Sequence, residues 1–235
     1  MKVVLTGAAG RLGTVVTRQL LAAGYQVLAT DTVEGPHLPI PVKVLNLLDA
    51  NAVMDLCKDA QALIHLANHP GVRRTLGTLG TLHENMQMNA NVFQSAIAGD
   101  IRKIIFASTI QVIASEQRYH AVQPDQQPVK VSYLPLDSDS PANPTNTYAL
   151  SKYLSEQILA SFVTRPRIQC ISMRFPALPE DTIHYPLMAK LPEHPDQVSR
   201  TAIGQAFSYL TRNDATALIL ATLQADLPII GCTSP

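Results

Sequence analysis

Short apolar runs alternate along this chain with segments whose apolar residues recur every three or four positions. Lys2 to Leu5 reads as a buried strand. Arg11 to Ala23, with Leu12, Val15, Val16, Gln19, Leu20 and Ala23 on one face, reads as a helix that Gly24 stops. Further strands are predicted at Gln26 to Thr30, running onto Asp31, and at Val42 to Leu45, Ala62 to Leu66, Lys103 to Ala107 and Ile168 to Met173. The helices between them are Ala50 to Lys58, Leu79 to Ala98 and one after Pro144, with a last helix at Asn213 to Leu223 and a short strand at Leu227 to Ile230. Strands alternating with helices predict an α/β fold, a Rossmann-type doubly wound parallel sheet with helices on both faces. Two stretches break the rhythm. Ala114 to Asn143 holds Pro124, Pro128, Pro135 and Pro141 among polar residues and predicts a long flap at the mouth of the sheet. Phe175 to Pro195 is again proline-rich and predicts an irregular segment carrying substrate contacts. The expected division is a cofactor-binding domain over 1–175 and a small, irregular C-terminal substrate-binding part over 176–235, whose helix and strand return to pack on the same domain.

Composition narrows the class. Of 235 residues, 46% are hydrophobic and 15% charged, as in a compact globular protein. Eighteen basic and 18 acidic residues cancel, so no global field favours nucleic acid or an anionic membrane. A small, locally recognised substrate is expected. Cys57, Cys170 and Cys232 lie far apart without metal-ligand spacing and read as reduced thiols, with no metal site. Gly7 to Arg11 interrupts the first apolar run too early for a signal peptide or a membrane span, so the expected location is the cytoplasm.

Candidate chemistry lies where elements meet. GAAGRLG places Gly7, Gly10 and Gly13 directly after one strand and at the start of a helix, the arrangement that brings backbone N–H groups to a pyrophosphate. Asp31, at the end of the second strand, can accept hydrogen bonds from ribose hydroxyls and would repel a further phosphate, so NAD is expected over NADP. Arg11 is the counter-signal, since a guanidinium there could meet a phosphate. Tyr148 and Lys152 are one helical turn apart, which puts phenol and ammonium on one face. A neighbouring ammonium favours the phenolate and suits Tyr148 to acid–base work. Met86 and Met88 read as core residues.

With these residues in place the chain resembles an extended short-chain dehydrogenase/reductase of the NAD-dependent epimerase/dehydratase family. The likeness runs through TGAAGRLG, LIHLAN at 63–68, NMQMNANVFQSA at 85–96, KIIFAST at 103–109 and YALSK at 148–152. It implies NAD as cofactor, held by Gly7, Ala9, Gly10, Arg11, Leu12 and Gly13 at the phosphate loop and by Asp31 at the ribose. It implies Asn46 and Leu47 at the adenine, Leu66, Ala67 and Asn68 along the next strand's end, and Ala107 and Phe175 by the nicotinamide. Asn85 is implied to tie the central helix to a neighbouring strand at this cleft. His65 falls either beside the cofactor or in the packing at a strand end. Thr109, with Ser108 as the close alternative, is implied to hold the substrate oxygen, Tyr148 to be the acid/base, and Lys152 to bind ribose and tune the tyrosine. Asn46 stands where the family usually has Asp, and Val112, Ile113 and Ala114 replace VYG, which bears on the substrate pocket. Arg174 fits either a loop-fixing role or a structural ion pair.

The resemblance implies hydride transfer between NAD and a sugar, sugar acid or related secondary alcohol, the compactness being similar to uronate dehydrogenases. The alternatives are a nucleotide-sugar epimerase or dehydratase that retains its NAD, and an NAD-binding regulator without efficient turnover. The first needs a diphosphate pocket, for which only Arg165, Arg167, Arg174, Arg200 and Arg212 stand after Ser161. A homodimer through the Leu79 to Ala98 and Thr145 to Thr164 helices is also implied.

Overall fold

The computed structural model describes residues 1–69, 77–99, 101–113, 137–144, 146–162, 168–178 and 210–226. Six parallel strands form one sheet in the order β3-β2-β1-β4-β5-β6. They are β1 (Lys2–Thr6), β2 (Gln26–Asp31), β3 (Lys43–Val44), β4 (Ala62–His65), β5 (Lys103–Thr109) and β6 (Gln169–Phe175). The helices are α1 (Arg11–Ala22), α2 (Ala50–Met54), α3 (Gly77–Ala98), α4 (Thr147–Ser161) and α5 (Arg212–Gln224). The order reverses direction between β1 and β4, which opens a crevice above their C-terminal ends.

Alternation along the strands builds two cores, one on each face. Val4, Leu63, Ile104 and Phe106 pack with Val53 of α2, Val92 and Phe93 of α3 and Leu159 of α4. Val3, Leu5, Ala62, Ile64 and Ile105 pack with Val16 and Leu20 of α1 and Ala215, Ile219 and Leu223 of α5. Buried on both faces, the central strands therefore read in sequence as continuous apolar runs rather than alternating ones. Met88 is buried in the first core. Helix α2 ends at Met54 instead of reaching Lys58, because the backbone tightens into i→i+3 turns, Leu56 N–H to the Val53 carbonyl and Lys58 N–H to the Asp55 carbonyl, before Asp59 takes a left-handed φ of 59°. Strand β5 runs two residues past the predicted end, through Ser108 and Thr109. The Leu227 to Ile230 strand, most of the Ala114 to Asn143 flap and the Phe175 to Pro195 segment beyond Leu178 lie outside the described residues. Among the described residues no helix is long and apolar enough to cross a membrane. Cys57 and Cys170 are free thiols, each pushed up to about 11 by burial.

Lys103 opens β5 with its side chain on the α5 face. Its ammonium donates to the carbonyls of Thr222 (2.9 Å), Leu223 (3.3 Å) and Ala225 at the C-terminus of α5. A cation is favourable there, where unpaired carbonyls concentrate negative potential.

Candidate active site at the sheet's carboxyl edge

The glycine loop is shaped by close backbone approach. Gly7 has φ +72°, and a Cβ on it would lie 2.8 Å from the Ala67 amide nitrogen, across the gap to the loop after β4. A Cβ on Gly13 would lie 2.0 Å from the Gly7 carbonyl oxygen and 2.8 Å from the Ala8 Cα, so only glycine lets α1 seat on the loop. Gly10 caps α1 without a side-chain partner, leaving the helix's first N–H groups open to an anion. Asp31 Oδ2 accepts from the Ala9 N–H at 3.0 Å and Oδ1 from the Thr32 N–H at 2.7 Å, which fixes the carboxylate beside the loop. Arg11 is exposed and Leu12 packs against the second core.

Further along the crevice, Asn46 is exposed and its Oδ1 accepts from the Leu48 N–H at 3.0 Å, while the Leu47 side chain is in the core. Leu66, Ala67 and Asn68 follow β4, and Asn68 Oδ1 is buried with no hydrogen-bond partner among the described residues. That unpaired acceptor suits a hydroxyl or N–H of a bound ligand. Asn85 Oδ1 accepts from the His69 N–H at 2.8 Å and its Nδ2 lies 3.5 Å from Ser151 Oγ, so Asn85 links α3 to the segment after β4 and to α4. His69 Nε2 pairs with Glu84 Oε2 at 2.7 Å. The glycine cradle, the braced Asp31 and the unsatisfied Asn68 oxygen together fit a dinucleotide.

His65 is packing, not surface. It is buried between the Phe93 and Phe106 rings, with centroids 5.6 and 5.7 Å away. Nε2 donates to Asn89 Oδ1 at 2.8 Å, because an amide oxygen can only accept, and Nδ1 therefore accepts from Thr6 Oγ1 at 2.6 Å. Asn89 Nδ2 donates to Ser155 Oγ at 2.7 Å and Ser155 donates to the Ser151 carbonyl at 2.8 Å. The relay crosses from β1 to α4 with each hydrogen assigned. Burial, then the Lys152 charge, pushes His65 down to about 3, against the Asn89 bond. It is neutral near pH 7.

Helix α4 begins at Asn146, whose Oδ1 accepts from the Ala149 N–H at 2.8 Å and whose Nδ2 donates to Gln111 Oε1 at 3.0 Å. The helix end bearing Tyr148 is thus tied to the 3₁₀ turn Ile110–Val112 that Thr109 caps, with Thr109 Oγ1 accepting from the Gln111 N–H at 3.3 Å. Lys152 is 2% exposed, donates to the Ala107 carbonyl at 2.6 Å and sits 4.5 Å from the Phe106 centroid and 6.0 Å from that of Tyr148. Burial pushes it down to about 7, with the Glu156 charge opposing. Ser108 Oγ donates to Glu156 Oε1 at 2.5 Å, and Arg174 donates to the same carboxylate through Nη2 at 2.8 Å and Nε at 3.1 Å. Hydrogen bonding to Glu156 holds the Arg174 guanidinium above its ordinary range. Of the two roles open to Arg174, the ion pair is present, and Nη1 also reaches the Ser138 carbonyl at 3.4 Å. Phe175 is buried in the second core beside Thr109, its register partner. Glu156, Asn89 and Ser155 had no assigned role from sequence. Glu156 carried a signal, lying one turn beyond Lys152, as Lys152 lies beyond Tyr148.

The chain is 26% identical over 178 residues to an L-arabinose 1-dehydrogenase (NAD(P)(+)) of Haloferax volcanii, covering 74% of this chain and 65% of that protein. It is 26% identical over 178 residues to a uronate dehydrogenase of Pseudomonas syringae pv. tomato, covering 74% and 58%. The chain thus spans less than two thirds of these relatives' own length. Its fold matches the solved structure of the Thermus thermophilus UDP-glucose 4-epimerase complex with NAD, at a TM-score of 0.68, 18% identity, and 96% and 75% coverage. Residues 3–178, from β1 past the end of β6, match the model of the NAD dependent epimerase/dehydratase family. Glycine loop, acidic strand end and Tyr148–Lys152 turn all lie inside that match, and the chain belongs to this family, whose cofactor is NAD.

Proposed function

We propose that this protein is an NAD-dependent oxidoreductase acting on a secondary alcohol carbon of a sugar or sugar acid. The observation that carries the reading is the buried Lys152 cation, held on the Ala107 carbonyl at 2.6 Å and 6.0 Å from the Tyr148 ring centroid, at the carboxyl edge of the sheet. NAD, when bound, accepts the hydride or returns it. The phosphate loop from Gly7 to Gly13 would hold its pyrophosphate and Asp31 its adenosine ribose, with Asn68 Oδ1 available to a ligand donor. In the oxidising direction Tyr148 takes the substrate hydroxyl proton, and the Lys152 ammonium favours the phenolate that does so. Thr109 fits the substrate-orienting role better than Ser108, because the Ser108 hydroxyl is engaged by Glu156. The names of the dehydrogenase relatives support a sugar substrate.

In this reading residues 1–175 form the cofactor-binding unit and 176–235 the substrate part, with α5 returning onto α1. We extend it to a homodimer through the outer faces of α3 and α4, where Leu154 stands exposed; a constant monomer mass across a dilution series in light scattering would contradict that. The catalytic assignment is tested by Tyr148→Phe. Turnover should be lost at least a hundredfold, in line with removal of a general acid/base, while NAD affinity by calorimetry stays within a fewfold. Undiminished turnover removes Tyr148 from the mechanism.

A further inference from the structure

We propose that Glu156 is a positioning residue for the reacting pair: its carboxylate, clamped between Ser108 Oγ and the Arg174 guanidinium, is the fixed counter-charge that keeps Lys152 an ammonium beside Tyr148. The role rests on the reading of Tyr148 and Lys152 given above. Ser108 and Arg174 are register partners in the β5–β6 ladder, so their side chains leave the same face of the sheet together, towards α4. Glu156 meets both from one turn beyond Lys152 and is 7% exposed. The two donors fix where the negative charge lies.

Lys152 has little else to hold its proton. Among the described residues its ammonium touches the Ala107 carbonyl and the Phe106 ring, both neutral. From β4 comes His65, neutral near pH 7, and from β6 Arg174, a cation already committed to Glu156. On α3 the titratable groups are Glu84, paired with His69, and the exposed His83. On α4 itself they are Tyr148, Tyr153 and Glu156. Of these, Glu156 is the charge that raises Lys152 against its burial. Both carboxylate oxygens accept here, so an amide in its place keeps one acceptor, turns its NH2 towards an Arg174 donor and loses the charge, whereas an aspartate keeps the charge and both acceptors.

The test is titration of Lys152 itself, with protein isotope-labelled at lysine Cε and K152M used to assign its resonance. In the wild type the resonance should titrate near neutral pH. In E156Q the midpoint should move to lower pH by about one pH unit, the size expected for loss of an adjacent opposite charge. E156D, which keeps the charge, should titrate with the wild type even if it melts earlier. A folded E156Q that titrates with the wild type overturns the proposal and leaves Glu156 as a brace. Should E156Q not fold, E156Q/R174Q compared with R174Q alone carries the same comparison, since the Arg174 charge is then absent from both. None of this needs turnover, so failure of the oxidoreductase reading would show separately. In assays with substrate, the alkaline limb of kcat/KM should move to lower pH in E156Q and not in E156D.

Discussion

Around Gly7 and Gly13 the crevice is shaped by backbone atoms packed too closely for any Cβ, whereas around Lys152 it is shaped by buried polar side chains drawn from β4, β5, α3 and α4. The first region is steric and local, and a fault in it displaces a helix. The second is electrostatic and long-range. A fault there changes protonation as well as stability. In the proposed function, one side would position the dinucleotide and the other would set which proton is available to move.

The largest expected effect lies on the steric side. Gly13→Val would drive side-chain atoms into the Gly7 carbonyl and the Ala8 Cα, both backbone. Separation of α1 from the loop should cost about 3 kcal/mol or more, seen as a lower melting temperature and lost NAD affinity. A variant that melts with the wild type would show that the loop is not close-packed in solution.

On the electrostatic side, His65 should make stability depend on acid. Its folded value lies well below the ordinary 6.5, so the unfolded chain binds a proton that the folded one refuses. Stability present above pH 6.5 should therefore be lost as pH falls from there towards the folded value of about 3, at about 1.4 kcal/mol per pH unit for this one group. His65→Gln should be less stable near pH 7 but lose about one proton's worth of that slope. Urea unfolding from pH 7 to 4 measures both, and equal slopes would place the proton linkage elsewhere. A smaller effect is expected from Lys103→Met, which strips the ammonium from the carbonyls of Thr222, Leu223 and Ala225. A loss of about 1–3 kcal/mol, with faster amide exchange in the last turn of α5, would match. Unchanged exchange there would contradict a capping role.

What could be read from sequence follows the same division. The glycine loop, Asp31 and the Tyr148–Lys152 turn are each written in a few consecutive residues, and their chemistry depends on spacing along one element or across one turn. The polar interior is not written that way. Thr6 meets His65 because they are register partners across β1 and β4, and Ser108 meets Arg174 for the same reason across β5 and β6. Glu156 is joined to Ser108 over 48 residues of sequence and Lys103 to Ala225 over 122. No periodicity reports such pairings, since strand register emerges only when the sheet assembles. His65, open between two roles in the sequence, is settled by a network whose members are distant in the chain. The early end of α2 was likewise hidden, because the helix passes at Asp55 into tight turns with neither Gly nor Pro to mark the change.

The most direct measurement is NADH formation by the purified protein, followed by absorbance, with NAD supplied against a panel of free sugars and uronates. NAD-dependent reduction with one sugar class, lost in Tyr148→Phe, is the predicted result. Tightly retained NAD with no net reduction by any substrate would contradict a net dehydrogenase.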